Sequence, residues 1–202
     1  MSQPPKTLTG SECYLLLTYL QSQGEKPAQI NAARRNHCMA LLMLDAGLRV
    51  GELVNLRQSN LSFASLPAES VVITAEIAKN NTERTVPLSH RCIVAIQVMI
   101  EYWWSIAERS YEVYAFYRTD PFQPMTTRQV ERIINNAAMK AFNRPVHPHV
   151  LRHTFATRLM KRTNARIVQQ LLGHKRLTST QVYTHPDQED LKKAIDSIDD
   201  DT

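Results

Sequence analysis

Pro148-His149-Val-Leu-Arg152-His153-Thr-Phe-Ala-Thr157 sets a proline ahead of a run with helical spacing. Proline suits a first helical turn, where its missing N–H would have no intrahelical partner anyway, and the run predicts a helix over 149–162. Spacings of three and four put His149, Arg152 and His153 on one face. At a helix N-terminus the free N–H groups and the positive dipole end favour an anion. Arg152 adds a planar fork matched to two phosphate oxygens, and His149 adds a proton acceptor near neutral pH. Two other readings of the imidazoles stand beside this one. His153 reads more simply as a packed core residue. Zinc held by His147, His149 and His153 is disfavoured, because Arg152 would set a positive charge beside the metal and no acidic ligand lies nearby.

Two further clusters flank this stretch. In Asp45-Ala-Gly-Leu-Arg49-Val-Gly-Glu52-Leu, the glycines bracket a tight helix-to-helix junction and Arg49 projects from a helix start. Glu52 lies three residues on, where it can orient the guanidinium; a solvated, weakly interacting surface pair is the competing reading. In Leu171-Leu-Gly-His174-Lys-Arg-Leu-Thr-Ser-Thr-Gln-Val-Tyr183, Gly173 closes a helix and sets His174 at its end. Tyr183 follows nine residues later, and taken alone it reads as a half-buried packing residue.

Thr9 or Ser11 can cap a first helix with Leu15, Leu16, Tyr19 and Leu20 as its apolar stripe. A second helix is predicted over 28–46 and ends at Gly47, with a short one over 50–56. Residues 69–74 and 83–88 read as paired strands joined by a hairpin turn at Lys79-Asn-Asn-Thr. Helices are expected from Ile93 to Trp103 and over 127–142, 165–172, 178–184 and 188–198, and a short strand over 113–117. The fold class is therefore α+β: mainly helical, with a small antiparallel sheet.

Composition limits the function classes. The 202 residues are 43% hydrophobic, enough for a full-sized core. No apolar run is long enough for a membrane helix and no secretory signal opens the chain, so the expectation is a cytoplasmic, nucleoid-associated protein without membrane partners. Cys13, Cys38 and Cys92 are scattered and read as buried thiols. Neither GxxxxGK[ST] nor GxGxxG occurs, which argues against an ATP-driven mechanism. The net charge of +5 hides an asymmetry: from Asp187 onward seven acids face two lysines, leaving +10 on residues 1–186. A basic body suits a polyanion, most simply nucleic acid.

Taken together, Arg49 in GLRVGEL, His149-x-x-Arg152 in HVLRHTFAT, and LLGH followed by Tyr183 resemble the tyrosine recombinase, or phage-integrase, family. The order matches, with about one hundred residues between the arginines and about thirty more to the tyrosine. The resemblance covers nearly the whole chain and implies the DNA breaking-rejoining catalytic fold. It makes Arg49 and Arg152 phosphate-binding arginines, His149 the acid/base and His174 a phosphate hydrogen-bond donor. Further, it makes Glu52 a supporting carboxylate and Tyr183 the nucleophile, with Lys79 matching a lysine that the family keeps in a β-hairpin. Many members have glycine beside that lysine; here Asn80 and Asn81 follow it.

The expected reaction is cleavage and rejoining of DNA through a 3′-phosphotyrosyl bond, needing neither metal nor cofactor. Arg158, Arg162, Lys175 and Arg176 are expected at backbone phosphates, with Arg128 and Arg132 reaching a groove. Residues 1–186 are expected to form one catalytic domain without the N-terminal clamp that many members carry, and 187–202 a C-terminal helix and acidic tail. The expected partners are double-stranded DNA, further copies in a tetramer on paired sites, and accessory DNA-bending proteins. Integration, excision and inversion all stay open. A type IB topoisomerase and an inactive DNA-binding regulator are the alternatives on the same fold.

Overall fold

The structure is a computed structural model that describes residues 7–79, 81–104, 113–174 and 178–181. Its centre is α2 (Pro27–Asp45), in which every residue from Cys38 to Leu44 is buried. A helix apolar on all sides must be covered on all sides. Helices α1 (Gly10–Gln21), α4 (His90–Tyr102) and α6 (Pro148–Met160) supply that cover, and α5 (Thr127–Phe142) packs on α1. The short α3 (Val50–Val54), α7 (Ala165–Leu172) and α8 (Thr178–Gln181), with one 3-10 turn at Gln58–Asn60, complete the helical set among the described residues. None of the described helices is long and apolar enough to cross a membrane.

Local chemistry sets the helix ends. Thr9 caps α1 by accepting from the Glu12 amide while Glu12 reaches back to the Thr9 amide. Thr126 and Asn164 cap α5 and α7 in the same sense. The buried face of α1 is Cys13, Leu16, Leu17 and Leu20, so Leu15, expected on the stripe, instead lies 42% exposed. One hundred degrees per residue carries position 15 off the face that 13, 16, 17 and 20 share.

The sheet content corrects the expectation of one small sheet. Strands β3 (Ser70–Ile73) and β4 (Arg84–Pro87) pair antiparallel as expected, with Val71 opposite Val86. A separate pair, β1 (Ser62–Phe63) and β2 (Leu66–Pro67), turns through Ala64 and Ser65 at φ of 47° and 67°. That turn carries none of the glycine or asparagine that usually marks positive φ, hence its silence in the sequence. The β3–β4 connection is also longer than a tight hairpin: Ile73 pairs with Arg84, and the Ala78 amide donates to the Thr74 carbonyl on the way. Residues 113–117, expected as a strand, pass through the core with a bend at 115–116 and form one isolated bridge, Tyr114 with Arg57.

Gly47 joins α2 to α3 at φ +64°, and a Cβ there would sit 2.4 Å from the Phe155 ring. Glycine is thus required both by conformation and by the close approach of α6. This contact sets the Arg49 junction directly against the helix that carries Arg152.

Candidate active site

Glu52 is the hub. Its carboxylate is 1% exposed and accepts from the Arg49 amide and the Arg49 Nη1, both at 2.8 Å. On its other side Arg84 donates both Nη atoms in a fork, at 2.9 and 2.7 Å. Arg152 Nη1 lies 3.9 Å away. Backbone carbonyls finish the arrangement: Arg84 Nε donates to Leu171, and Arg152 donates to Gly47 and, at 2.6 Å, to Leu172. Three guanidiniums around one carboxylate leave an excess of two positive charges in a largely buried cluster. Burial pushes the Glu52 carboxyl up, but the Arg84 hydrogen bonds and charge, the Arg49 amide and Arg152 outweigh it and hold it below the usual range.

The imidazoles sit within this field. His149 opens the exposed edge of α6, 6.4 Å ring to ring from His153. Burial, then the charges of Arg152, Lys79 and Arg49, hold His149 below its ordinary value. Lys79 is therefore electrically part of the site, although its side chain is exposed on the β3–β4 connection. His174 follows Gly173, which ends α7 at φ +62° and whose missing side chain leaves room for the Arg84 stem. Burial and the charges of Arg152, Arg49 and Arg84 bring His174 down to about 4. Its Nδ1 lies 3.1 Å from the Thr180 hydroxyl. Both rings are neutral at pH 7, each with one nitrogen to donate and one to accept.

The family model for the phage integrase family matches residues 6–190. The chain belongs to that family. A tyrosine recombinase of Pseudothermotoga lettingae is 34% identical over 166 residues, covering 82% of this chain and 54% of the relative. XerD of Rickettsia bellii is 31% identical over 198 residues, covering 95% and 63%. This phage-integrase chain thus spans between 54% and 63% of the length of these two relatives. The crystal structure of XerA recombinase superposes with a TM-score of 0.73 at 26% identity, over 96% of this chain and 66% of that one. XerH bound to its difH substrate, at 21% identity and a TM-score of 0.73, shares the fold over 96% of this chain and 54% of that one. The mainly helical tyrosine recombinase catalytic fold is the fold of this chain.

Of the residues expected at the site, Arg49, Glu52 and Arg152 meet directly, the charges of Arg152 and Arg49 reach His149 and His174, and that of Lys79 reaches His149. Tyr183, Lys175 and Arg176 lie outside the described residues, as do positions 187–202. Arg128 and Arg132 are exposed on α5. Arg158 and Arg162 do not join the pocket: nine residues beyond His149 is about two and a half turns, which turns Arg158 to the opposite side of α6. There it lies 3.7 Å from Asp45, and with Arg162 and Arg91 it lines a separate cavity of about 230 Å³. Among the described residues no group of three His, Cys, Asp or Glu is placed to hold a metal ion.

Arg84 is the site residue that sequence reasoning missed. One signal was present: in β4, Arg84 and Val86 point inward while Thr85 and Pro87 point out. A charge at an inward position of an alternating strand needs a buried partner, and Glu52 is that partner.

Proposed function

We propose that this chain is the strand-transfer domain of a site-specific DNA recombinase. The observation that carries it is the sharing of Glu52 by Arg49 and Arg152, which draws two guanidiniums over one hundred positions apart in sequence to one buried carboxylate. The names of the relatives, tyrosine recombinases throughout, point the same way.

In the proposed reaction the Tyr183 phenol attacks the scissile phosphorus. A P–O bond to the tyrosine forms, the P–O5′ bond breaks, and the linkage energy is kept in the phosphotyrosyl ester, so no nucleotide is consumed. Negative charge builds on the non-bridging oxygens, where Arg49, Arg152 and an N–H of His174 stabilise it; losing one such oriented donor costs about 10²–10³ in rate. His149, whose proton affinity is lowered by burial and then by its cationic surroundings, takes the phenol proton. Lys79 gives a proton to the leaving 5′-oxygen. Rejoining runs the same steps backward with a different 5′-hydroxyl.

Double-stranded DNA is the proposed substrate, with exchange carried out by a tetramer on paired sites and with DNA-bending proteins as helpers. A nicked suicide duplex carrying the target site should trap a denaturant-resistant protein–DNA adduct, and Tyr183→Phe should abolish it. An undiminished adduct in that variant moves the nucleophile elsewhere. Relaxation of plasmid that lacks any such site would instead support a topoisomerase, and loss of tetramers on deletion of 187–202 would assign the tail to assembly.

A further inference from the structure

We propose that Thr180 is a positioning residue for the strand-transfer reaction above: its hydroxyl donates to Nδ1 of His174, so that the ring carries its proton on Nε2 and presents that N–H to the scissile phosphate. Thr180 is fully buried on α8, and among the described residues the contact to His174 is the hydrogen bond of its side chain. A buried hydroxyl holds its proton on an acceptor when one is in reach, because an orphaned buried donor is costly. Were the ring protonated on Nδ1, the Thr180 oxygen would accept and its own proton would have to be donated elsewhere; with the ring proton on Nε2 the one contact satisfies both groups. Burial, and then the charges of Arg152, Arg49 and Arg84, favour the neutral imidazole, in which each nitrogen has one role and the hydrogen bond at one decides the role of the other.

The backbone of His174 is held as firmly as its ring. Its amide donates to the Gln169 carbonyl, and its own carbonyl accepts from the Gln169 side chain at 3.0 Å. Position is thus set by α7, whereas tautomer and ring plane are set by α8. Three residues beyond Thr180 comes Tyr183. The helix that leads into the nucleophile thereby also prepares the phosphate donor, and a displaced α8 disables both at once.

The test uses the full chain with isotope-labelled histidine. Nitrogen NMR should show His174 protonated on Nε2 with a hydrogen-bonded Nδ1. Thr180→Val, of similar shape but without the hydroxyl, should lose the Nδ1 hydrogen-bond signature and slow adduct formation about tenfold or more, and Thr180→Ser should restore both. Should the valine variant fail to fold, the wild-type and serine spectra decide alone. A wild-type ring protonated on Nδ1 overturns the inference, as does a valine variant with unchanged spectrum and unchanged rate. Wild-type protein that shows the Nε2 tautomer yet forms no adduct on any duplex refutes the recombinase reading instead, so the two failures are told apart.

Discussion

Arg152 and Arg158 stand six residues apart on α6, yet one is built into the molecule and the other rests on it. The Arg152 side chain is 5% exposed, clamped by two carbonyl oxygens and set against the buried Glu52. The side chain of Arg158 is 52% exposed and faces Asp45 at 3.7 Å, a carboxylate also contacted by Arg91 at 3.0 Å. Folding fixes the orientation of Arg152, so in the proposed reaction a phosphate would meet a donor with little rotamer freedom left to lose. Arg158 must still be immobilised by whatever binds it. Burial and carbonyl contacts, more than charge, separate the inner guanidinium from the surface one.

Neutralising the two counterions should break this contrast most visibly. Glu52→Gln leaves three guanidiniums facing one another without an anion, and is expected to cost about 3–5 kcal/mol in urea unfolding. Asp45→Asn should cost no more than about 1 kcal/mol. Equal losses would mean that the inner cluster is no better coupled than the outer one. Next in size, Arg152→Ala should slow adduct formation by about 10²–10³, with Arg158→Ala within about threefold; a reversal of that order would move the reaction to the other side of α6.

Acid should strike the inner cluster first. His174 has a folded value of about 4 against an ordinary 6.5, so its contribution is complete above pH 6.5 and is lost as pH falls from 6.5 toward 4. Glu52, held low, loses its contribution further down, below the ordinary carboxylate range. Denaturant midpoints measured across pH 7.5 to 4.5 should fall, and His174→Gln should flatten the upper part of that limb; an unchanged slope would show that folding does not shift the His174 titration. Smallest of all, Arg158→Ala and Arg162→Ala should each reduce the dependence of DNA affinity on salt by about one unit of log–log slope if they contact phosphate. A constant slope leaves them solvated.

Much of this was readable along the chain. Helices α5 and α7 begin and end where sequence signals place them, because Thr126, Asn164 and Gly173 cap them with local chemistry. Arg49, Glu52, His149 and Arg152 were readable for the same reason, each pair lying within one helical turn. What stayed hidden was non-local. Arg84 finds its carboxylate thirty-two positions earlier, and nothing near it announces that partner. Lys79 joins the site through its charge at His149 across a connection longer than the expected turn. Spacing on a helix likewise says which residues share a face, but not which face turns toward the core, and Arg158 with Arg162 falls on the other one.

The last two carbonyls of α7, those of Leu171 and Leu172, each receive a guanidinium, one from Arg84 and one from Arg152. A helix end used as a two-pin socket cannot change length quietly. Inserting or deleting one residue turns the terminus through about 100° and shifts it by about 1.5 Å, pulling both pins and swinging His174 away with them. The exposed positions Arg166, Ile167 and Gln170 should accept replacement freely, while the number of residues between Asn164 and Gly173 is not negotiable. In this chain α7 works as a gauge block.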